Sequence, residues 1–298
     1  MKNYLLLIAA CVLFGLQGCA DLQHVNSFSN TAVKTIKSYD EIGYTFTKSY
    51  YTYTLGQNAY QLTGNIDANS LSVPAPIAIS NEPQTANKAD QAITFFTAGI
   101  ASYFEALAKL SDKDLVNYNF DDVGKNLKAD ATLKAKFGID DSQIDATAKI
   151  ATAFTNMVMG VYRERKIRKV MIEYDADVSK STQALIDILT NAILPTLKAD
   201  NGLIEVKYQV ILKNPKIDLS KKAELTNSYN DEKITLDKYK TQIEQLVKAL
   251  TTIKDEHNKT VVLLKDSKLT AKAVKDIINQ HSAEVYLIYT NIKALTSN

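Results

Sequence analysis

The stretch SKKAELTNSYNDEKITLDKYKTQIEQLVKALTTIKDEH, residues 220–257, decides the fold class. Positions Leu225, Tyr229, Glu232, Leu236, Tyr239, Ile243, Leu246, Leu250, Ile253 and His257 recur by threes and fours. Eight of those ten are apolar, and lysines and glutamates fill the other faces. A period of 3.5 puts them on one seam of a helix, as in a coiled coil. Ser220 is the expected cap. After a polar break near Lys265–Lys268 the rhythm resumes at Val274, Ile278, His281, Val285, Ile288, Ile292 and Leu295. Two seams joined by a short connection predict an antiparallel helical hairpin over 219–298.

The same spacing runs upstream. Phe28, Ala32, Ile36, Tyr39, Gly43, Phe46, Tyr50 and Tyr53 form one stripe, although residues 44–54 are also rich in strand formers. Residues 61–85 carry Gly64, Pro74, Pro76 and Pro83 and read as one long loop. A helix follows from about Asn87 to Leu110, with Ile93, Phe96, Ile100, Tyr103, Leu107 and Leu110 on one face. A short polar segment lies between Asp112 and Phe137. Gly138 marks a break, and Asp140-Asp141 a new helix start. From there the pattern reads as one very long helix through Ile167, Met171, Tyr174, Val178, Leu185 and Ile188, ended or kinked at Pro195. Asp200-Asn201-Gly202 reads as a turn. Residues 203–211 fit strand or helix, and helix is chosen to agree with their neighbours. The expectation is an all-α fold: an elongated bundle of about five or six long helices ending in the hairpin.

The amino terminus has a different character. Met1-Lys2-Asn3 precedes an apolar run, Tyr4 to Phe14, of the length of a signal-peptide core. It is shorter than the roughly 20 residues a spanning helix needs. Leu16-Gln17-Gly18-Cys19 resembles the lipobox of bacterial lipoproteins, with Gln17 where a small residue is usual. The resemblance covers the first 19 residues only. It implies that residues 1–18 are a cleaved signal and that Cys19 carries fatty acid. Residues 19–298 would then form a single helical domain. Ala20, rather than an aspartate, after the cysteine implies an outer-membrane anchor facing the periplasm or cell surface. Multiple acyl chains make such an anchor stable.

Composition narrows the function classes. The two cysteines, Cys11 and Cys19, leave none in the body, which excludes a disulfide framework and thiol chemistry there. Basic and acidic residues nearly cancel, 35 against 33, so no nucleic-acid partner is expected. No nucleophile turn or phosphate loop occurs, and no catalytic residue, metal ligand or cofactor is assigned. His24 lies close to Cys19 and reads as part of a tether. His257 and His281 fall on apolar stripes and read as buried, hydrogen-bonded histidines. His281-Ser282-Ala283-Glu284 is similar to the His-x-x-Glu motif of imelysin-like periplasmic helical proteins, with Asn279 where those carry glycine. That resemblance implies a metal-binding or metal-dependent role.

Three features point to contact with a partner. All three arginines, Arg163, Arg165 and Arg168, share one segment, and their forked geometry suits carboxylates and phosphates. Tyr39, Tyr44, Tyr50, Tyr51, Tyr53 and Tyr60 crowd into 22 residues. One helix face cannot bury them all, and tyrosine is favoured at interfaces. Two uncharged runs, Gln91–Phe104 and Ile150–Tyr162, carry Gly99 and Gly160, so they read as close-packed central helices or as membrane-active segments. The sequence thus predicts a lipid-anchored scaffold or binding module, with Arg163, Arg165, Arg168, Tyr44, Tyr50, Tyr51 and Tyr53 as candidate contacts. Its expected partners are the membrane, through the anchor, and a protein or other envelope component.

Overall fold

A computed structural model describes residues 25–52, 54, 83–109, 121–154, 163–265, 283 and 285–294. Cys19 and His24 lie outside these residues, as do Tyr53, Tyr60, His281 and Glu284. Every regular element among the described residues is a helix. The all-α bundle expected from the spacing is what forms.

The first helix, α1 (25–42), buries the stripe Phe28, Ala32, Ile36 and Tyr39. It stops at Gly43, whose φ of 68° lies in the left-handed region that glycine enters without strain. A second helix, α2 (46–52), then starts afresh, so the continuous stripe read from the sequence is two helices. Thr45 caps it locally, its hydroxyl accepting from Lys48 N at 3.0 Å. Asp90, from the helix Pro83–Lys109, accepts from the backbone N–H groups of Phe46 and Thr47 at 2.7 and 3.1 Å. Tertiary structure, more than local spacing, sets this break.

Helix α3 (Pro83–Lys109) buries the predicted face Ile93, Phe96, Ile100, Tyr103 and Leu107. It begins before Asn87, so residues 83–85 of the expected loop form its first turn, where proline lacks no needed donor. Two short helices follow, α4 (Asp121–Ala129) and α5 (Ala131–Phe137). Asp130 caps α5, and Gly138 ends it with φ 68°. Helix α6 (Asp141–Thr152) starts as predicted, Asp140 and Gln143 forming a reciprocal capping box.

The very long helix expected from Asp140 onward does not form as one piece. It stops at Thr152, and α7 (Arg163–Ile188) lies back against it. Lys149 Nζ and Asp177 Oδ2 are 3.5 Å apart, whereas a straight helix would separate positions 28 residues apart by about 42 Å. Pro195, in turn, does not stop the helical path but stands in the first turn of the helix Leu194–Lys213, just after the regular α-helix is interrupted. A π-helical turn, Leu189–Ile193, joins α7 to α8 (Leu194–Lys213), and Leu194 N–H bonds back to Leu189 O. This wider turn absorbs a proline that would cost about 3 kcal/mol in a regular helix interior. Asp200-Asn201-Gly202 is likewise inside α8 and not a turn, and residues 203–211 are helical.

Asp218, not Ser220, caps α9 (Leu219–Lys265), accepting from Lys221 N at 2.8 Å. Helix α9 folds back antiparallel along α8, with Tyr208 against Tyr229 and Lys207 paired to Glu232. Its first half is half-buried along the seam. Its second half buries Ile243, Leu246, Leu250, Ile253 and His257 in the central core. Helix α10 (285–294) adds Val285, Ile288 and Ile292 to that core.

The core is centred on α3, α6, α7 and α9, and at Gly99 α3 lies close against α6. A methyl group built on Gly99 would lie 2.4 Å from Thr147 Cγ2 and 3.3 Å from Thr147 O on α6. Gly99 thus allows the close approach that its sequence setting implied. Replacing it by alanine overpacks a well-filled contact, at an expected cost of about 1–3 kcal/mol. Removing the opposing methyl with Thr147→Ser in the same chain should return at least half of that loss. Urea unfolding of the two single variants and the double variant measures both effects. Additive losses in the double variant would contradict the crossing described.

Candidate functional site

Two clusters of polar side chains sit inside the bundle, each joining distant parts of the chain. The first links α3, α7 and α9. Tyr103 Oη lies 2.9 Å from His257 Nε2, and His257 Nδ1 lies 3.2 Å from Asp175 Oδ1. Tyr103 and His257 are fully buried, with Phe104 and Phe154 against their rings. Burial, reinforced by the charges of Asp175 and Tyr174, holds the Tyr103 hydroxyl well above its ordinary pKa. It therefore remains a donor to Nε2, which leaves Nδ1–H to donate to Asp175. The sequence reading of His257 as a buried, hydrogen-bonded core residue describes its position. Tyr103 and Asp175, from other helices, carry no local signal of this partnership.

The second cluster links the α1–α2 elbow to α8. Asp200 is 2 % exposed, and its two oxygens accept from Tyr44 Oη and Ser49 Oγ, each at 2.7 Å. Tyr39 Oη donates to the Tyr44 carbonyl at 3.2 Å and closes the elbow. Burial pushes the Asp200 carboxyl up to about 6, although both hydroxyl bonds favour the charged form. Desolvation outweighs the two donors. The Tyr44 hydroxyl is raised far above its usual value by burial first, then by the neighbouring Asp200 charge. Sequence reasoning gave Asp200 to a turn; the available signal was that Asp200-Asn201-Gly202 interrupts an otherwise unbroken helical rhythm.

Both clusters are chemically able to hold or pass a proton between side chains. Neither opens its tyrosine or histidine to a substrate. Their evident work is to fix helix register, since an unmatched buried polar group costs about 1–3 kcal/mol. Among the described residues no group of three or more His, Cys, Asp and Glu could hold a metal ion. No helix among them is long and apolar enough to cross a membrane.

The predicted contact residues separate. Tyr44 is buried, faces inward to Asp200 and presents nothing to a partner. Tyr50 is half-buried, and Tyr51 is 58 % exposed with its ring edge-on to Tyr50. Arg168 is exposed near the start of α7, while the side chains of Arg163 and Arg165 lie outside the described residues. Tyr53 does as well. The structure does not bring the arginine and tyrosine candidates together by any described contact.

Compared with known protein families, with curated proteins and with solved structures, the chain shows no significant match to any of them.

Asp200 makes stability depend on pH in a defined direction. Its carboxyl binds a proton near pH 6 in the folded chain but near 3.8 when unfolded. The folded state therefore gains protons first, and this group favours folding more as pH falls from 7 to 4. The shift of roughly two units corresponds to about 3 kcal/mol over that window. Asp130 and Asp140 are held below their ordinary values by cap hydrogen bonds, so they act in the opposite sense. The comparison with Asp200→Asn isolates the Asp200 part. Urea unfolding between pH 4 and 7 is expected to show that the variant has lost this component. An unchanged pH profile would exclude a buried, proton-binding Asp200.

Proposed function

We propose that the chain is a lipid-tethered cell-envelope protein that acts by contact, as a helical scaffold or binding module. The observation that carries this reading is the block Leu16-Gln17-Gly18-Cys19 after a short apolar run. The fold is compatible with it in two respects. The polar side chains with the strongest shifts bond to one another inside the core and act as internal ties. The first half of α9, by contrast, presents a long outer surface, with Leu219 86 % and Ile234 65 % exposed. Exposed large apolar side chains on a rigid rod are suited to a protein or envelope partner. Tyr51 and Arg168 are further accessible contacts on other helices.

The imelysin-like reading rests on His281 and Glu284. The membrane-active reading rests on Gln91–Phe104 and Ile150–Tyr162. Of these, Gln91–Phe104 is a core-facing part of α3, which favours the contact reading.

Metabolic labelling with a clickable palmitate analogue tests the anchor. The intact chain is expected to take up the label and to sediment with membranes, and Cys19→Ser is expected to do neither. An unlabelled, fully soluble wild-type product would overturn the proposal. Site-specific photocrosslinkers at Leu219, Ile234, Tyr51 and Arg168 test the contact surfaces. At least one is expected to give a discrete cross-linked species in intact cells, and a crosslinker at buried Tyr44 none.

A further inference from the structure

Between α2, α8 and the first half of α9 lies a cavity of about 320 Å³. Its walls are mostly apolar, formed by Leu203, Ile204 and Leu236 with the ring of Tyr239, and Lys48 and Lys207 also line it. The Lys48 ammonium lies 4.5 Å from the centre of the Tyr239 ring. It donates to Tyr239 Oη and, at 3.3 Å, to the Gly43 carbonyl. Gly43 is able to offer that carbonyl because its left-handed backbone ends α1 there.

These partners are all neutral. Among the described residues no carboxylate forms an ion pair with Lys48. An ammonium has three protons, and only two are engaged. Tyr239 Oη accepts from Lys48, so its own proton is still available to donate. Two donors, one of them the charged and exposed Lys48, therefore meet in the lining of a mostly apolar cavity, and among the described residues no carboxylate pairs with either.

The acidic groups of the cavity stand elsewhere. Asp231 and Glu232 precede Tyr239 by eight and seven residues, which places them roughly 10–12 Å away along the α9 axis. Glu232 is already bonded to Tyr208 Oη at 2.8 Å and to Lys207 Nζ at 3.2 Å. Lys207, which also lines the cavity, balances Glu232 by pairing with it, so Lys48 is the lining cation that carries no carboxylate among the described residues. A charge-assisted bond to an ionised acceptor is about twice as strong as one to a neutral group.

We propose that this cavity binds a single medium-length alkyl chain ending in a carboxylate. The head rests on Lys48 and Tyr239, and the chain lies along Leu236, Leu203 and Ile204. A few fixed polar groups for orientation and apolar walls for burial are the usual composition of small-molecule sites. The inference concerns a soluble ligand and holds whether or not Cys19 carries a lipid of its own.

Titration calorimetry of the body, residues 20–298, with decanoate below its micellar concentration tests it; circular dichroism confirms that each sample is folded. Decanol and decylamine share the chain and differ in the head. Decanoate is expected to bind once per chain and at least tenfold more tightly than either. Lys48→Met should abolish that preference, and Tyr239→Phe should reduce it several-fold while keeping the ring. Thr235→Trp, at an exposed lining position, should block all three compounds by filling the space. The absence of decanoate binding would overturn the proposal. Equal binding of decanol, a preference that survives Lys48→Met, or decanoate binding unchanged by Thr235→Trp would do the same.

Discussion

The apolar face of α7 is the constraint around which the rest is arranged. Ile167, Val170, Met171, Val178, Leu185 and Ile188 are all buried, and α3, α6 and α9 supply the surfaces that cover them. Each such side chain contributes roughly 1.5–3 kcal/mol when withdrawn from water, which far exceeds the propensity of any isolated helix. Helices α6 and α9 must therefore fold back onto α7. That requirement explains why the chain breaks after Thr152, where the hydrophobic rhythm alone would have carried it onward.

Apolar faces bring helices together without fixing their register, and the buried polar groups supply what is missing. Tyr103, His257 and Asp175 are matched donor to acceptor across three helices. Tyr44 and Ser49 are matched to Asp200 between the α1–α2 elbow and α8. Sliding α9 or α8 by one turn would leave these groups buried and unbonded, a penalty of several kcal/mol in sum. The two ties work differently. The histidine tie can be satisfied with a neutral ring, whereas Asp200 is charged at neutral pH in a place that disfavours charge.

The α8–α9 hairpin is built on a different principle. Among the described residues the first half of α9 has no second layer over it, and its seam residues are only half-buried. The cavity beside Lys48 and Tyr239 lies where this thinner layer meets the central core. A helix pair covered on one side is free to carry both exposed contact residues and a small binding space. The α3–α6 contact, closed at Gly99 on Thr147, leaves no such room at that crossing.

Sequence by itself determined the helical class, most of the buried faces and the local caps at Asp140 and Gly138. These depend on side-chain period and on backbone preferences within a few residues. It also marked His257 as internal, because the residue lies on an apolar seam. Tertiary structure alone decided where helices break and which polar groups meet. Gly43 reads as one step of a stripe until Asp90 of α3 holds the next turn. Pro195 reads as a stop until a π turn accommodates it, and Asp200-Asn201-Gly202 reads as a turn until Tyr44 and Ser49 claim the carboxylate. In each case the deciding partner is remote in sequence. Spacing reports what a residue offers its own helix, and only the packed chain shows which distant group answers it.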